Sequence, residues 1–172
     1  RLYEDLDSSN DKQTLQTLPA ITINKNSENI FGTPFYLSVN SSFTNFYRVE
    51  GNKGIVADVA PVLSIPYNIT VFHLSSALKS DQTFYKNSES GNEFSHLRIV
   101  PQFTQTVSTD LVKQYYDGNS SLLHLITPKI SYNFIPTISQ SHLPDFVSKI
   151  YSKSQVVFQI EQRLISKVNN VK

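Results

Sequence analysis

Apolar residues recur at every second position through most of this chain and almost nowhere at helical spacing. From residue 35 the odd positions read Phe35, Leu37, Val39, Ser41, Phe43, Asn45, Tyr47, Val49, and the even ones Tyr36, Ser38, Asn40, Ser42, Thr44, Phe46, Arg48. Alternate side chains of a strand point to opposite sheet faces, so one face is apolar and the other mostly polar. The same pattern recurs at Ile55, Ala57, Val59, Pro61, Leu63, Ile65, and at Leu97, Ile99, Pro101, Phe103, Gln105, Val107. It recurs again at Leu122, His124, Ile126, Pro128, Ile130, Tyr132, Phe134, and more briefly at Val156, Phe158, Ile160. Weaker segments lie at 18–24 and 67–74. This predicts about seven antiparallel strands, joined by polar connectors at 24–29, 50–54, 86–93, 117–120 and 137–154, where Gly and Asn supply turn chemistry.

Several strands reach ten residues or more, whereas strands of globular domains usually have about five or six. A strand crossing a bilayer at a steep tilt needs roughly 9–11. The polar faces carry Ser, Thr, Asn and Gln rather than Lys and Glu, and Tyr and Phe gather near strand ends. Both features suit the wall of a membrane β-barrel, with a wet lumen and aromatic belts at the two interfaces. A secreted β-sandwich also alternates and also favours Tyr, so periodicity leaves both architectures open. Pro61, Pro66, Pro101, Pro128 and Pro136 lie in or at the ends of the alternating segments. Proline cannot donate to a ladder, so these positions imply edges, strand starts or interrupted pairing.

Composition narrows the field. The 172 residues fit one domain, with no boundary visible between 1 and 172 and no internal repeat. Ser, Thr and Asn supply 49 residues and Asp, Glu, Lys and Arg only 29. Zero Cys excludes disulfide scaffolds, thiolate metal sites and thiol nucleophiles. A net charge of +1 gives no field to attract phosphate backbones, so nucleic acid is not an expected partner. No run of 18 apolar residues exists for a transmembrane helix, which leaves a strand-built barrel open. The absence of Met and the start at Arg1 suggest an excerpt of a longer chain.

Catalytic and metal chemistry finds no foothold. His73, His96, His124 and His142 are widely spaced, without the three- or four-residue interval of a helical metal site. No nucleophile elbow and no phosphate-binding glycine loop occurs. Asp58, Asp110 and Glu161 are scattered and read as solvated or lumen-facing charges. The sequons at Asn40, Asn68 and Asn119 are what an Asn- and Ser-rich composition yields by chance, and two fall in predicted strands. The expectation is no enzyme, no cofactor and no metal.

Two extended patterns carry more information than any short motif. The first is Asn45-Phe46-Tyr47-Arg48-Val49-Glu50-Gly51-Asn52-Lys53-Gly54, continuing to Asp58, Pro61, Ser64 and Pro66. The second runs from His124 through Pro128, Tyr132, Phe134 and Pro136 to Gln140, Leu143-Pro144 and Phe146. With the opening Arg1-Leu2-Tyr3-Glu4-Asp5-Leu6, these resemble the C-terminal barrel domain of the LptD (OstA/Imp) family along nearly the whole chain and in order. Gly54, Asp58, Pro61, Pro66, Pro128, Tyr132, Pro136, Gln140, Pro144 and Phe146 match the family signature, as structural rather than catalytic positions. Two residues depart from it: Val56 stands where Arg is common, and Val147 where Asp is common. The resemblance implies an internal piece of a large outer-membrane β-barrel, open and curved when taken alone. It further implies transport and assembly of lipopolysaccharide at the outer leaflet of a Gram-negative outer membrane. The partners implied are lipopolysaccharide, outer-membrane lipid, an LptE-type lipoprotein in the lumen, and a periplasmic Lpt bridge that meets other parts of the chain. The alternative from another class is a secreted β-sandwich that binds carbohydrate or protein.

Overall fold

The computed structural model describes residues 11–89, 92–117, 120–141 and 143–168. The opening six-residue motif, His142 and Asn119 lie outside the described residues. After a single 3-10 turn at Asp11–Gln13 come β1 (Gln16–Asn29), β2 (Tyr36–Tyr47), β3 (Gly54–Ile69), β4 (Phe72–Glu89), β5 (Asn92–Thr109), β6 (Leu111–Asp117), β7 (Ser120–Ile135) and β8 (Lys153–Val168). All pair antiparallel in one open sheet curled into a half-barrel, in which β7 lies beside both β5 and β6 and also carries β8. β5 and β6 are two parts of one arm: Ser108 faces Lys129 and Leu111 faces Ile126 in an unbroken register. The chain is therefore a seven-arm meander, with the outer edges of β1 and β8 unpaired among the described residues. A two-sheet sandwich does not form.

The prolines sit where the ladder can spare a donor. Pro19 lies in the bulge between Thr17 and Ala20 of β1. The β3–β4 pairing lapses at Ala60 and Pro61. Pro66 lies beyond the last rung to β2, and Pro101 before the first rung to β7. Pro128 stands opposite Thr109, at the lapse that divides β5 from β6. A missing N–H there removes one rung and leaves the arm otherwise continuous.

Register separates the two faces. Outward point Phe43 of β2, Val59 and Leu63 of β3, Leu78 and Phe84 of β4, Leu97 and Ile99 of β5, Ile130 and Phe134 of β7, and Phe158 and Ile160 of β8, all exposed. The opposite face is polar and less exposed. It carries Ser42 bonded to Asp58 (3.3 Å), Lys79 paired with Asp81 (2.8 Å), Thr104 to Asn133 (3.0 Å) and Thr106 to Ser131 (3.1 Å). Polar pairs within and between strands thus satisfy one another along this face.

Four sequence expectations need correction. Residues 67–74 are not a strand but the β3–β4 hairpin, which turns at Thr70 (φ 54°) and Val71. Residues 24–29 are not a connector, because β1 runs to Asn29 through a second bulge between Lys25 and Glu28. The supposed connector 86–93 is mostly strand, since β4 reaches Glu89 and β5 starts at Asn92. Nearly all of β4 escaped the pattern, because its outward face carries Ser76, Ser80 and Gln82 among Leu and Phe. Those groups bond to one another and to β5: Ser76 Oγ to Gln105 Oε1 (2.5 Å) and Gln82 Nε2 to Ser80 Oγ (3.4 Å).

Candidate functional site: a strap across the polar face

Between β7 and β8 the chain does not turn directly. The chain leaves the sheet at Pro136, which cannot extend the ladder, and residues 137–141 and 143–152 fold back over the polar face of β2–β5 as a strap. This strap covers the fully buried side chain of Tyr85. Beneath it burial alternates: Thr83, Tyr85 and Asn87 of β4 and Arg98 and Val100 of β5 are buried, and the residues between and beside them are half-buried or exposed.

Three contacts fasten the strap. The first is apolar: Val147 joins Val56 and Tyr85 in one buried cluster, flanked by Phe46, Leu143 and Phe146. Phe146 stacks on Phe46 with ring centroids 5.1 Å apart and planes 22° from parallel. The second is ionic: Arg48 Nη2 donates to Asp145 Oδ2 at 2.6 Å. The third is a closed neck. Gln140 Nε2 donates to the Ile150 carbonyl (2.6 Å), and the Ile150 N–H returns a bond to Gln140 Oε1 (3.0 Å). A single amide side chain thus ties residues 140 and 150 together as a strand rung would.

Arg98 holds that neck to the sheet. Its Nη1 donates to Gln140 Oε1 (3.1 Å) and to the Ser148 carbonyl (2.7 Å), and its Nη2 to Thr83 Oγ1 (3.0 Å). The residue is 8% exposed, and its Nε has no partner among the described residues. A guanidinium taken out of water and met by neutral oxygens is tolerable only while those acceptors stay in place. The strap that shields Arg98 from water also supplies two of its three acceptors, so docking replaces solvent with fixed oxygens rather than leaving the charge unmet.

The positions to which the resemblance points divide into two groups, with Pro136 at the point where the strap leaves β7. Gln140, Pro144 and Phe146 belong to the strap. Pro144 is buried and accepts the Val147 N–H at 3.0 Å, which sets the bend that aims Val147 inward. Gly54 and Asp58 lie beneath it on β3, Gly54 because the chains crowd there: a Cβ would stand 1.9 Å from the Lys86 carbonyl oxygen. Pro61, Pro128 and Tyr132 lie on the outward face and Pro66 inward near the opposite rim, all away from the strap. Tyr132 reaches Ser154 of β8 (3.2 Å). Arg98, Thr83 and Tyr85 were missed by the sequence reading. The available signal was a lone Arg on an inward face otherwise made of Val100, Gln102, Thr104 and Thr106. Among the described residues, no three His, Asp or Glu converge as a metal site would require. The contacts that the strap makes are hydrogen bonds, one ion pair and apolar packing.

Comparison of the sequence with known proteins points to one family. The sequence model of LptD (LPS transport system D) matches residues 1–164. LPS-assembly protein LptD of Methylococcus capsulatus is 27% identical over 154 residues, covering 87% of this chain and 15% of that protein. The LptD of Nitrosomonas europaea is 27% identical over 150 residues (85% and 20%), and that of Nitrosospira multiformis 24% over 133 (76% and 14%). The chain thus spans a fifth or less of the length of these relatives. With an all-β curled sheet and a match along nearly its whole length, the chain belongs to the LptD family.

Proposed function

We propose that this chain is a stretch of the wall of a large outer-membrane β-barrel through which the complete protein delivers lipopolysaccharide to the outer leaflet of a Gram-negative cell. The observation that carries this reading is the outward face. In register across four strands, Phe43, Ala57, Phe84 and Leu97 form one row, and Ile69, Phe72 and Thr109 form another. Phe84 and Phe72 are twelve positions apart on β4. At about 3.3 Å per residue and a tilt of about 45°, the two rows stand roughly 28 Å apart, the height of an apolar barrel band. The inward face, lined with Ser, Thr, Asn and Gln, can hydrogen-bond sugar without gripping phosphate.

The two rims differ. Strand direction puts the ends of β1, β3 and β6 at one rim, and the ends of β2, β4 and β7, with the strap, at the other. Barrels keep short turns on the periplasmic side and long loops outside, so the strap belongs to the outer rim and narrows the lumen from there. An LptE-type lipoprotein meets the inward surface that the strap leaves open, and the periplasmic bridge engages other parts of the chain. The role is transport rather than catalysis.

The test is charge placement in the full-length protein. Leu78 is 58% exposed near the middle of the band. In a membrane wall, Leu78→Arg costs about 2–4 kcal/mol of folding stability in bilayers. On a water-exposed sheet the same substitution stays within about 0.5 kcal/mol, and that result overturns the reading.

A further inference from the structure

Just above the upper row of the outward face lies a cavity of about 330 Å³, lined by Tyr47, Lys53, Gly54, Ile55, Lys86 and Ser88 among others, with no carboxylate in its lining. The sequence singles out no ligand here, and although Phe46 and Gly54 close the cavity on the strap side, no described residue of the strap itself lines it. The β2–β3 turn is fixed against β4 by the Ser88 N–H donating to the Lys53 carbonyl at 2.7 Å. That bond, with the crowding at Gly54, sets Lys53 beside Lys86. Lys53 Nζ stands 5.8 Å from the centre of the Tyr47 ring. Lys86 has Glu93 at 3.9 Å, an exposed pair at the limit of contact that holds the ammonium only weakly.

We infer that this cavity seats the phosphate group of an anionic membrane lipid. The two ammonium groups sit one step above the row of Phe43, Ala57, Phe84 and Leu97, so a phosphate held between them leaves acyl chains against an apolar wall. A free phosphate gains nothing from Ile55 and Tyr47, whereas a lipid uses both halves of the site. Tyr47 supplies the ring and polar tip suited to the depth at which headgroup meets hydrocarbon. The inference rests on the proposed membrane position of this face.

The experiment uses the full-length protein in phosphatidylcholine bilayers containing spin-labelled phosphatidic acid, with spin-labelled phosphatidylcholine as the matched neutral probe. The measurement is the preference for phosphatidic acid in the motionally restricted lipid shell. Lys53→Gln with Lys86→Gln is expected to lower that preference by roughly fivefold for each lysine removed. Lys25→Gln with Lys113→Gln, on the same face at the opposite rim, is expected to leave it unchanged. Equal preference in the wild type and the Lys53/Lys86 variant overturns the inference while leaving the barrel reading intact. Displacement of the labelled lipid by inorganic phosphate also overturns it, in favour of a free-anion site. Failure of the wild-type chain to insert overturns both.

Discussion

Val56 on β3 and Val147 on the strap, each 7% exposed, share one buried cluster with Tyr85. The family resemblance read from the sequence implies Arg at the first position and Asp at the second. The fold brings the two positions together, and we propose that the two valines compensate each other, since a charge at either position alone would lack its counter-charge. We predict that Val147→Asp costs about 3–5 kcal/mol, the penalty of an unpaired buried charge. Adding Val56→Arg recovers part of that loss. A double-mutant cycle on the unfolding temperature of the full-length protein measures the coupling, and zero coupling removes the explanation.

Gly54 and Gly32 make a second, contrasting test. A Cβ on Gly54 meets the Lys86 carbonyl oxygen at 1.9 Å, a backbone atom that cannot move aside without opening the β3–β4 ladder. Gly54→Ala is expected to cost about 2–3 kcal/mol as an overpacked site. Gly32 has open space around it but sits at φ 73°, so Gly32→Ala costs only the left-handed backbone penalty of roughly 1 kcal/mol. Denaturant midpoints of the two variants rank them.

β2, β3, β7 and parts of β5 and β8 were legible in the sequence because apolar residues recur on their outward faces, so period two stands out. β4 was not, because Ser76, Ser80 and Gln82 interrupt its outward face and find partners only once β5 lies alongside. Residues 67–74 alternate across a hairpin, and only the left-handed Thr70 marks the turn. The strap has no period to read. Gln140, Pro144 and Phe146 were identified by resemblance, but their common purpose depends on Arg98 and Phe46, which the chain supplies from far away. Contacts of that kind follow from topology, not from local pattern.

The prolines yield a prediction about ladder donors. Pro128 faces the lapse between β5 and β6, where one rung is already missing. Pro128→Thr restores a donor and a β-branched side chain, and the change in stability is expected to stay within about 0.5 kcal/mol. Val107 is paired on both sides, with Leu74 and with Ile130. Val107→Pro removes a rung from the interior of the sheet and is expected to cost about 3 kcal/mol or more. Folded yield in the outer-membrane fraction compares them; equal yields contradict the account of where proline is tolerated.

The strap's closed neck yields the last prediction. Gln140 alone links Arg98 to both backbone groups of Ile150. Gln140→Ala leaves the Ile150 N–H and carbonyl and one Arg98 contact without partners, at about 1–3 kcal/mol for groups cut off from water. That cost falls on the docked strap and not on the sheet, whose rungs do not involve Gln140. The strap should therefore open locally while the barrel stays folded. Asp145→Ala breaks the Arg48 pair, but Asp145 is half exposed, so its loss costs no more than about 1 kcal/mol. Limited proteolysis of intact cells reads the difference: cleavage within 136–152 rises strongly for Gln140→Ala and slightly for Asp145→Ala, with the remaining wall protected. Uniform cleavage across the strands in Gln140→Ala shows instead that the strap is integral to the sheet, and equal protection in both variants shows that the neck does not hold it.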